Sequence, residues 1–194
     1  MRAGDGISAL ANCRELRGAK MIVIVMGVSG SGKTTIGKLL AERMGWIFAD
    51  ADDYFPEAYK QKMAAGHPLT DEDRAPWLRT LNELLKRWDQ EGSNGVLACS
   101  ALKAKYHETL EAGIPLTHMQ FIFLDGPKEL IARRLATRKH EYMNPMLLDS
   151  QLATLERPTD AFRIVNDRPP EEIVNHLLEN VLAVQDVATR QILK

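Results

Sequence analysis

A chain of 194 residues, 45% apolar and 26% charged, is one globular domain, long enough to bury a substantial core without a second domain. Its formal net charge of −1 leaves no electrostatic footprint for nucleic acid, and no stretch approaches the length of a membrane span. The default partner is a small soluble molecule.

Residues 1–20, MRAGDGISALANCRELRGAK, differ in character from the rest of the chain and read as a disordered N-terminal extension to a domain over 21–194. Their apolar patch is too short and interrupted for a secretory signal, Asp5 and Glu15 dilute the charge a mitochondrial address needs, and Met21 would itself serve as a start. Cys13 and Cys99 are far apart, and Cys99 falls in an apolar strand. The chain therefore reads as cytoplasmic, without a disulfide framework or a cysteine metal site.

The apolar run MIVIVM, Met21 to Met26, predicts a buried strand. Directly behind it Gly27 to Thr34 read GVSGSGKT, a complete G-x-x-x-x-G-K-[ST] phosphate-binding loop. TTIGKLLAERMG comes next, with Ile36, Leu39, Leu40 and Met44 at helical spacing, so the loop joins a strand to a helix start. Glycines at Gly27, Gly30 and Gly32 let successive N–H groups face one concavity, and the helix N-terminus adds positive potential for a phosphate. The expected nucleotide contacts are Gly27, Ser29, Gly30, Ser31, Gly32, Lys33, Thr34 and Thr35. Lys33 should reach the outer phosphates of ATP, and the Thr34 hydroxyl should ligate the accompanying Mg2+.

Trp46 to Ala49 reads as a second strand ending at Asp50, Val96 to Ser100 as a third, Met119 to Leu124 as a fourth and Phe162 to Val165 as a fifth. Between them the longest helical pattern is PWLRTLNELLKRW, with Trp77, Leu78, Leu81, Leu84, Leu85 and Trp88 on one face. Pro76 is expected in its first turn, and Thr70 or Asp71 is expected to cap or precede it. A last helix starts near Pro170 and runs through Ile173, Val174, Leu177, Leu178 and Val181. Alternating strands and helices predict an α/β fold: a P-loop kinase-type three-layer sandwich with a parallel five-stranded sheet and a helical lid at about 137–146.

Asp50 and Asp52 stand two apart where the second strand should end, so extended backbone would point both into the strand-end crevice. One could hold magnesium-bound water, the metal role expected of Asp50, and the other could deprotonate an acceptor hydroxyl, the catalytic role expected of Asp52. Asp53 beside them leaves open a pair of solvated loop acids. Asp125, ending FIFLD, is a competing magnesium acid of Walker B type and ranks lower. Arg133, Arg134, Arg138 and Lys139 form a basic run. Arg134 is expected on the nucleotide and Arg138 on the moving phosphoryl group from a mobile lid, against the plainer reading of a solvated helix face.

With GVSGSGKT, KMAAGHPLTDEDRAPWL at Lys62 to Leu78, ACSALK at Ala98 to Lys103 and SQLATLE at Ser150 to Glu156 in order, the chain from Met21 onward resembles the gluconate kinases, the thermoresistant gluconokinases. That resemblance implies ATP-dependent phosphorylation of the terminal hydroxyl of gluconate to 6-phosphogluconate, in a homodimer. By position it implies that Asp50 and Asp52 are the family's acidic pair, Arg74 its Asp-Arg-x-Pro-Trp arginine, and Ser100, Ala101, Leu102 and Lys103 its Cys-Ser-Ala-Leu-Lys loop. Substrate contacts are thus expected from Asp52, Arg74, Ser100 and Lys103. A guanidinium fork suits a sugar-acid carboxylate, although Arg74 could equally pair with Asp71 or Asp73. The chain departs from the pattern at Phe55 and Tyr59, at His107, and at His140 and Glu141. A kinase for another polyol, sugar acid or shikimate-like ring acid, and a nucleotide-binding regulator without such activity, are the competing readings.

Overall fold

The computed structural model describes residues 20–65, 67, 69–136 and 146–182. Strands β1 (Ile22–Met26), β2 (Ile47–Asp50), β3 (Gly95–Ala98), β4 (Met119–Asp125) and β5 (Phe162–Val165) pair in parallel in the order β2-β3-β1-β4-β5. The helices are α1 (Lys33–Met44), α2 (Glu57–Ala64), α3 (Asp71–Glu91), α4 (Ala104–Glu111), α5 (Lys128–Ala136), α6 (Met146–Thr154) and α7 (Pro170–Leu177).

Strand parity divides the core into two slabs. Ile22, Ile24 and Met26 of β1, Leu97 of β3, and Phe121 and Phe123 of β4 point to one face, where they meet Trp77, Leu81, Leu85 and Trp88 of α3 and Tyr106 and Leu110 of α4. Val23 and Val25, with Val96, Ile122 and Leu124, point to the other, against Ile36 and Leu40 of α1 and Ile173, Val174 and Leu177 of α7. Because β1 is apolar on both sides it can only be central, with neighbours on each edge and a helical layer on each face. Each fully buried Leu or Ile contributes about 1.5–3 kcal/mol relative to an exposed one, so moving this strand to an edge would cost far more than any local turn preference could return. This is the α/β P-loop kinase fold.

Two local expectations need correction. Helix α3 starts at Asp71, five residues before Pro76, because Thr70 and Asp73 form a reciprocal capping box that extends the helix beyond its apolar stripe. Pro76 therefore sits inside the helix rather than in its first turn, and the strong cap with the apolar stripe outweighs the lost N–H bond. The chain also leaves the extended state at Asp50 and enters a 3-10 turn over Ala51–Tyr54, so alternation along a strand does not orient Asp52.

The parallel arrangement puts the carboxyl ends of β1, β2 and β3 side by side, and the phosphate loop, the acidic turn and the Ser100 loop emerge there together. Trp77 ties this region to α3: its buried indole Nε1–H donates to the Ala51 carbonyl at 2.9 Å. The helix carrying Arg74 and the turn carrying Asp52 are thereby held to one another. No helix among the described residues is long and apolar enough to cross a membrane.

Candidate active site

The phosphate loop is held from behind. Gly27 N–H donates to Ser100 O at 3.3 Å, Ser31 N–H to Val28 O at 3.1 Å, and Asn166 Nδ2, just beyond β5, to Ser31 O at 2.6 Å. Helix α1 has Gly32 as N-cap, with no side-chain cap bond and no acidic residue in its first turn. The helix dipole at this end favours negative charge, and no acidic side chain in the first turn opposes an incoming anion. Lys33 Nζ lies back along the loop, donating to Val28 O at 3.1 Å. Ser29 and Ser31 are buried in the loop, Thr34 is half-buried and Thr35 is exposed.

Gly32 has φ +98°, and a Cβ there would lie 2.4 Å from Asn166 Nδ2. Gly32→Ala would therefore strain the backbone and push away the asparagine that holds the loop. Nucleotide affinity is expected to fall by about tenfold or more, as isothermal calorimetry with a Mg-bound ATP analogue would show.

The acids are assembled by hydrogen bonds. Asp50 Oδ2 accepts from the Thr34 hydroxyl at 2.8 Å, and its Oδ1 accepts from Asp52 N–H at 3.1 Å. One carboxylate thus fastens the start of α1 to the turn that carries the next. Asp52 is exposed at its surface. The walls of the crevice nonetheless strip away enough water to raise its carboxyl above the ordinary 3.8; Lys33 opposes that rise and Asp50 adds to it.

Beside this crevice lies a cavity of about 360 Å³, lined by Arg74, Lys103, Thr70, Asp71, Ser150 and Gln151 among others. Of the expected substrate contacts it brings Arg74 and Lys103 together, whereas Asp52 and Ser100 lie outside its lining, toward the phosphate loop. Among the described residues Arg74 is not paired to an acid: its guanidinium donates to the Leu69 and Thr70 carbonyls and lies 5.9 Å over the Tyr106 ring. Asp73 is held by Lys62 at 2.6 Å, and Asp71 by Lys103 at 2.9 Å, by Lys105 at 2.6 Å and by the Tyr106 hydroxyl. Bonds from Lys105, Tyr106 and Lys103 hold the Asp71 carboxyl well below the usual carboxylate range. Burial and the bond to Asp71 push the Tyr106 phenol up to about 12. Lys103 therefore reaches the cavity already paired with a carboxylate that it shares with Lys105, and among the described residues lining the cavity Arg74 is the cation bonded only to neutral groups.

The family model described as Shikimate kinase matches residues 29–182. The chain is 41% identical over 165 residues to the gluconokinase of Gluconobacter oxydans (83% of this chain, 91% of that one), and 36% identical over 162 residues to the thermoresistant gluconokinase of Escherichia coli K12 (81% and 91%). Its fold superposes on the crystal structure of a gluconokinase from Sinorhizobium meliloti 1021 with a TM-score of 0.78 and 35% identity, covering 88% of this chain and 97% of that one. The chain belongs to the gluconokinase family. Membership makes it an ATP-dependent carbohydrate kinase.

Three of the departures from the gluconokinase pattern have structural accounts. Phe55 stacks on Trp77, with centroids 4.4 Å apart and planes at 17°, and meets Tyr59 edge-on at 6.4 Å. This aromatic group closes the base of the acidic turn. His107 is buried, stacked on Phe121 at 4.5 Å, with Nε2 at 2.8 Å from Ala101 O. A carbonyl can only accept, so Nε2 carries the proton, and the imidazole fixes a loop in which Ala101 holds φ +42°. His140 and Glu141 lie outside the described residues, as do Arg138 and the lid expected at about 137–146, apart from Met146, where α6 begins.

Arg134 is half-buried on α5, a helix whose Ile131 and Leu135 pack over Gly30 of the phosphate loop. Asp125 is taken by Arg157 and Arg163, each at 2.6 Å. Burial resists its ionisation, but the bonds from Arg163, Gly126 N–H and Arg157 hold its carboxyl below the ordinary value. That carboxylate is thus already bonded to two guanidinium groups, one of them on β5. Residue spacing does not reveal Asn166, the Asp71 hub or Gln151, whose carboxamide contacts Ser29; SQLATLE marks the segment around Gln151 without showing what it touches.

Proposed function

We propose that this chain transfers the terminal phosphoryl group of ATP to the terminal hydroxyl of gluconate, forming 6-phosphogluconate. One juxtaposition carries this reading: Thr34, Asp50 and Asp52 form a continuous bonded chain from the phosphate loop to an acid beside a cavity, and the cation in that cavity bonded only to neutral groups is Arg74. Gluconokinase relatives give the acceptor its name.

Roles follow from the chemistry. Amides of the phosphate loop other than those of Gly27 and Ser31, which hold the loop itself, grip the triphosphate together with Lys33, and Arg134 and Arg138 add positive charge on the nucleotide and moving phosphoryl group. Arg74 receives the sugar-acid carboxylate as a two-pronged donor, with Lys103 lining the same cavity and Ser100 on the phosphate-loop side of it. Asp52 takes the proton of the acceptor hydroxyl while its oxygen bonds to the terminal phosphorus and the bond from that phosphorus to the ADP oxygen breaks. The Thr34 hydroxyl and the Asp50 carboxylate are hard oxygen donors already 2.8 Å apart, a pair that suits Mg2+ bound together with phosphate oxygens. When bound there, the ion supplies charge neutralisation at the phosphates.

A coupled assay of ADP release over a panel of gluconate, other sugar acids, polyols and shikimate tests this reading. Gluconate is expected to give the highest kcat/KM. Equal or better turnover of another acceptor would replace gluconate, and ADP release indifferent to every acceptor would favour a nucleotide-binding regulator.

A further inference from the structure

Gln151 lines the acceptor cavity and also touches the phosphate loop. Its Oε1 accepts from the backbone N–H of Ser29 at 2.7 Å, with Nε2 at 3.5 Å from Ser29 Oγ. The amide orientation is dictated by the donor, since only the carbonyl end can accept from an N–H. This reach is not the accident of a loose surface side chain. Helix α6 is fixed by its Leu148 and Leu152 and by Leu155 just past its end, which pack with Val28 of the loop, Leu102 and Ile131. It is pinned further where Glu156 N–H donates to Leu102 O and the Glu156 carboxylate accepts from Ala104 N–H, both at 2.8 Å. An amide of the cradle that a side chain can reach from the cavity marks the border between the two sites.

We infer that Gln151 is a positioning residue that couples cradle to cavity: it holds the Ser29 N–H while the cradle is empty, and yields it to the triphosphate when that ligand arrives. Phosphate oxygen and Gln151 Oε1 compete for the same donor, and a charged acceptor wins over a neutral one. Once released, the carboxamide still lines the cavity that Arg74 and Lys103 line, on the side that meets the phosphate loop, where Nε2 can donate to a hydroxyl of the acceptor. A carboxamide suits both tasks because it accepts at one end and donates at the other. The inference rests on the proposed kinase activity and adds a sequence of contacts to it: nucleotide first frees the group that then orients the acceptor.

The test compares wild type with Gln151→Ala and Gln151→Glu by calorimetry with a Mg-bound non-hydrolysable ATP analogue, and by turnover with gluconate. Gln151→Ala removes the competitor, so nucleotide is expected to bind as tightly as in wild type or up to about tenfold more tightly. Its kcat with gluconate should fall about tenfold or more, and a larger share of ADP should form without phosphorylated acceptor. Gln151→Glu keeps an acceptor for Ser29 N–H but adds a negative charge and has no donor; with an unchanged melting temperature it should weaken nucleotide binding by about tenfold or more. Nucleotide binding weakened tenfold in Gln151→Ala would overturn the inference, because Gln151 would then merely buttress the loop. Unchanged gluconate turnover in that variant would overturn it as well. If wild type itself fails to phosphorylate gluconate, the acceptor assignment is what fails, and the nucleotide-binding comparison still decides the role of Gln151.

Discussion

Lys33→Ala is expected to lower kcat/KM by about 10²–10³-fold, the loss associated with removing one preorganised donor from developing charge. The side chain lies along the phosphate loop, with Nζ at 3.1 Å from Val28 O, and close enough to Asp52 to pull that carboxyl's pKa downward. Two consequences should therefore appear together. Outer phosphates lose a cation, and Asp52 loses the charge that favours its ionised form, so the acid limb of the pH–rate profile should move to higher pH as the rate falls. Steady-state kinetics across pH would check both. A variant with unchanged turnover, or with a rate loss but an unmoved acid limb, would separate Lys33 from the catalytic site.

Asp52→Asn is expected to leave nucleotide affinity within about twofold of wild type, because the bond from Thr34 to the loop-facing acid is made by Asp50. Transfer should fall by about 10²–10⁴-fold, the usual contribution of a positioned general base. The pH dependence has a definite sign. Burial raises the Asp52 carboxyl above the ordinary 3.8, so the proton-accepting form is lost, and rate with it, as pH falls through a value higher than that. Asn does not titrate, and the variant should lack this limb. The same shift bears on stability. A carboxyl with a raised pKa in the folded state binds its proton more tightly folded than unfolded, so stability declines as pH rises from 3.8 through the folded value, and ionised Asp52 detracts from the fold at neutral pH. Asp52→Asn should therefore melt no lower than wild type at pH 7. A lower melting temperature with normal transfer would make Asp52 a structural residue.

Local signals carry most of the fold. The MIVIVM run can only be a strand covered on both faces, the glycine spacing at Gly27, Gly30 and Gly32 requires a tight turn, and the stripe from Trp77 to Trp88 defines the buried face of α3. Where a local rule fails, a stronger local interaction explains it. Alternation cannot place Asp52 because Asp50 accepts its N–H and turns the chain into a 3-10 bend, and the Thr70–Asp73 capping box carries α3 past the proline expected near its start. Distant partners are not legible at all. Ser29 meets Gln151 across 122 positions and Asn166 meets Ser31 across 135, and neither pair leaves a periodicity or spacing in the chain. The same holds for Asp71, which Lys103 and Lys105 both reach; neither ion pair leaves a mark in the residue spacing.

A crystal structure with gluconate and a Mg-bound non-hydrolysable ATP analogue tests the central claim most directly. The expected result places the terminal hydroxyl of gluconate within hydrogen-bond distance of Asp52 and in line with the terminal phosphorus, its carboxylate on the Arg74 guanidinium, and the triphosphate on the loop amides. Gluconate seated with its carboxylate toward Asp52, or with its terminal hydroxyl remote from the nucleotide, would contradict it.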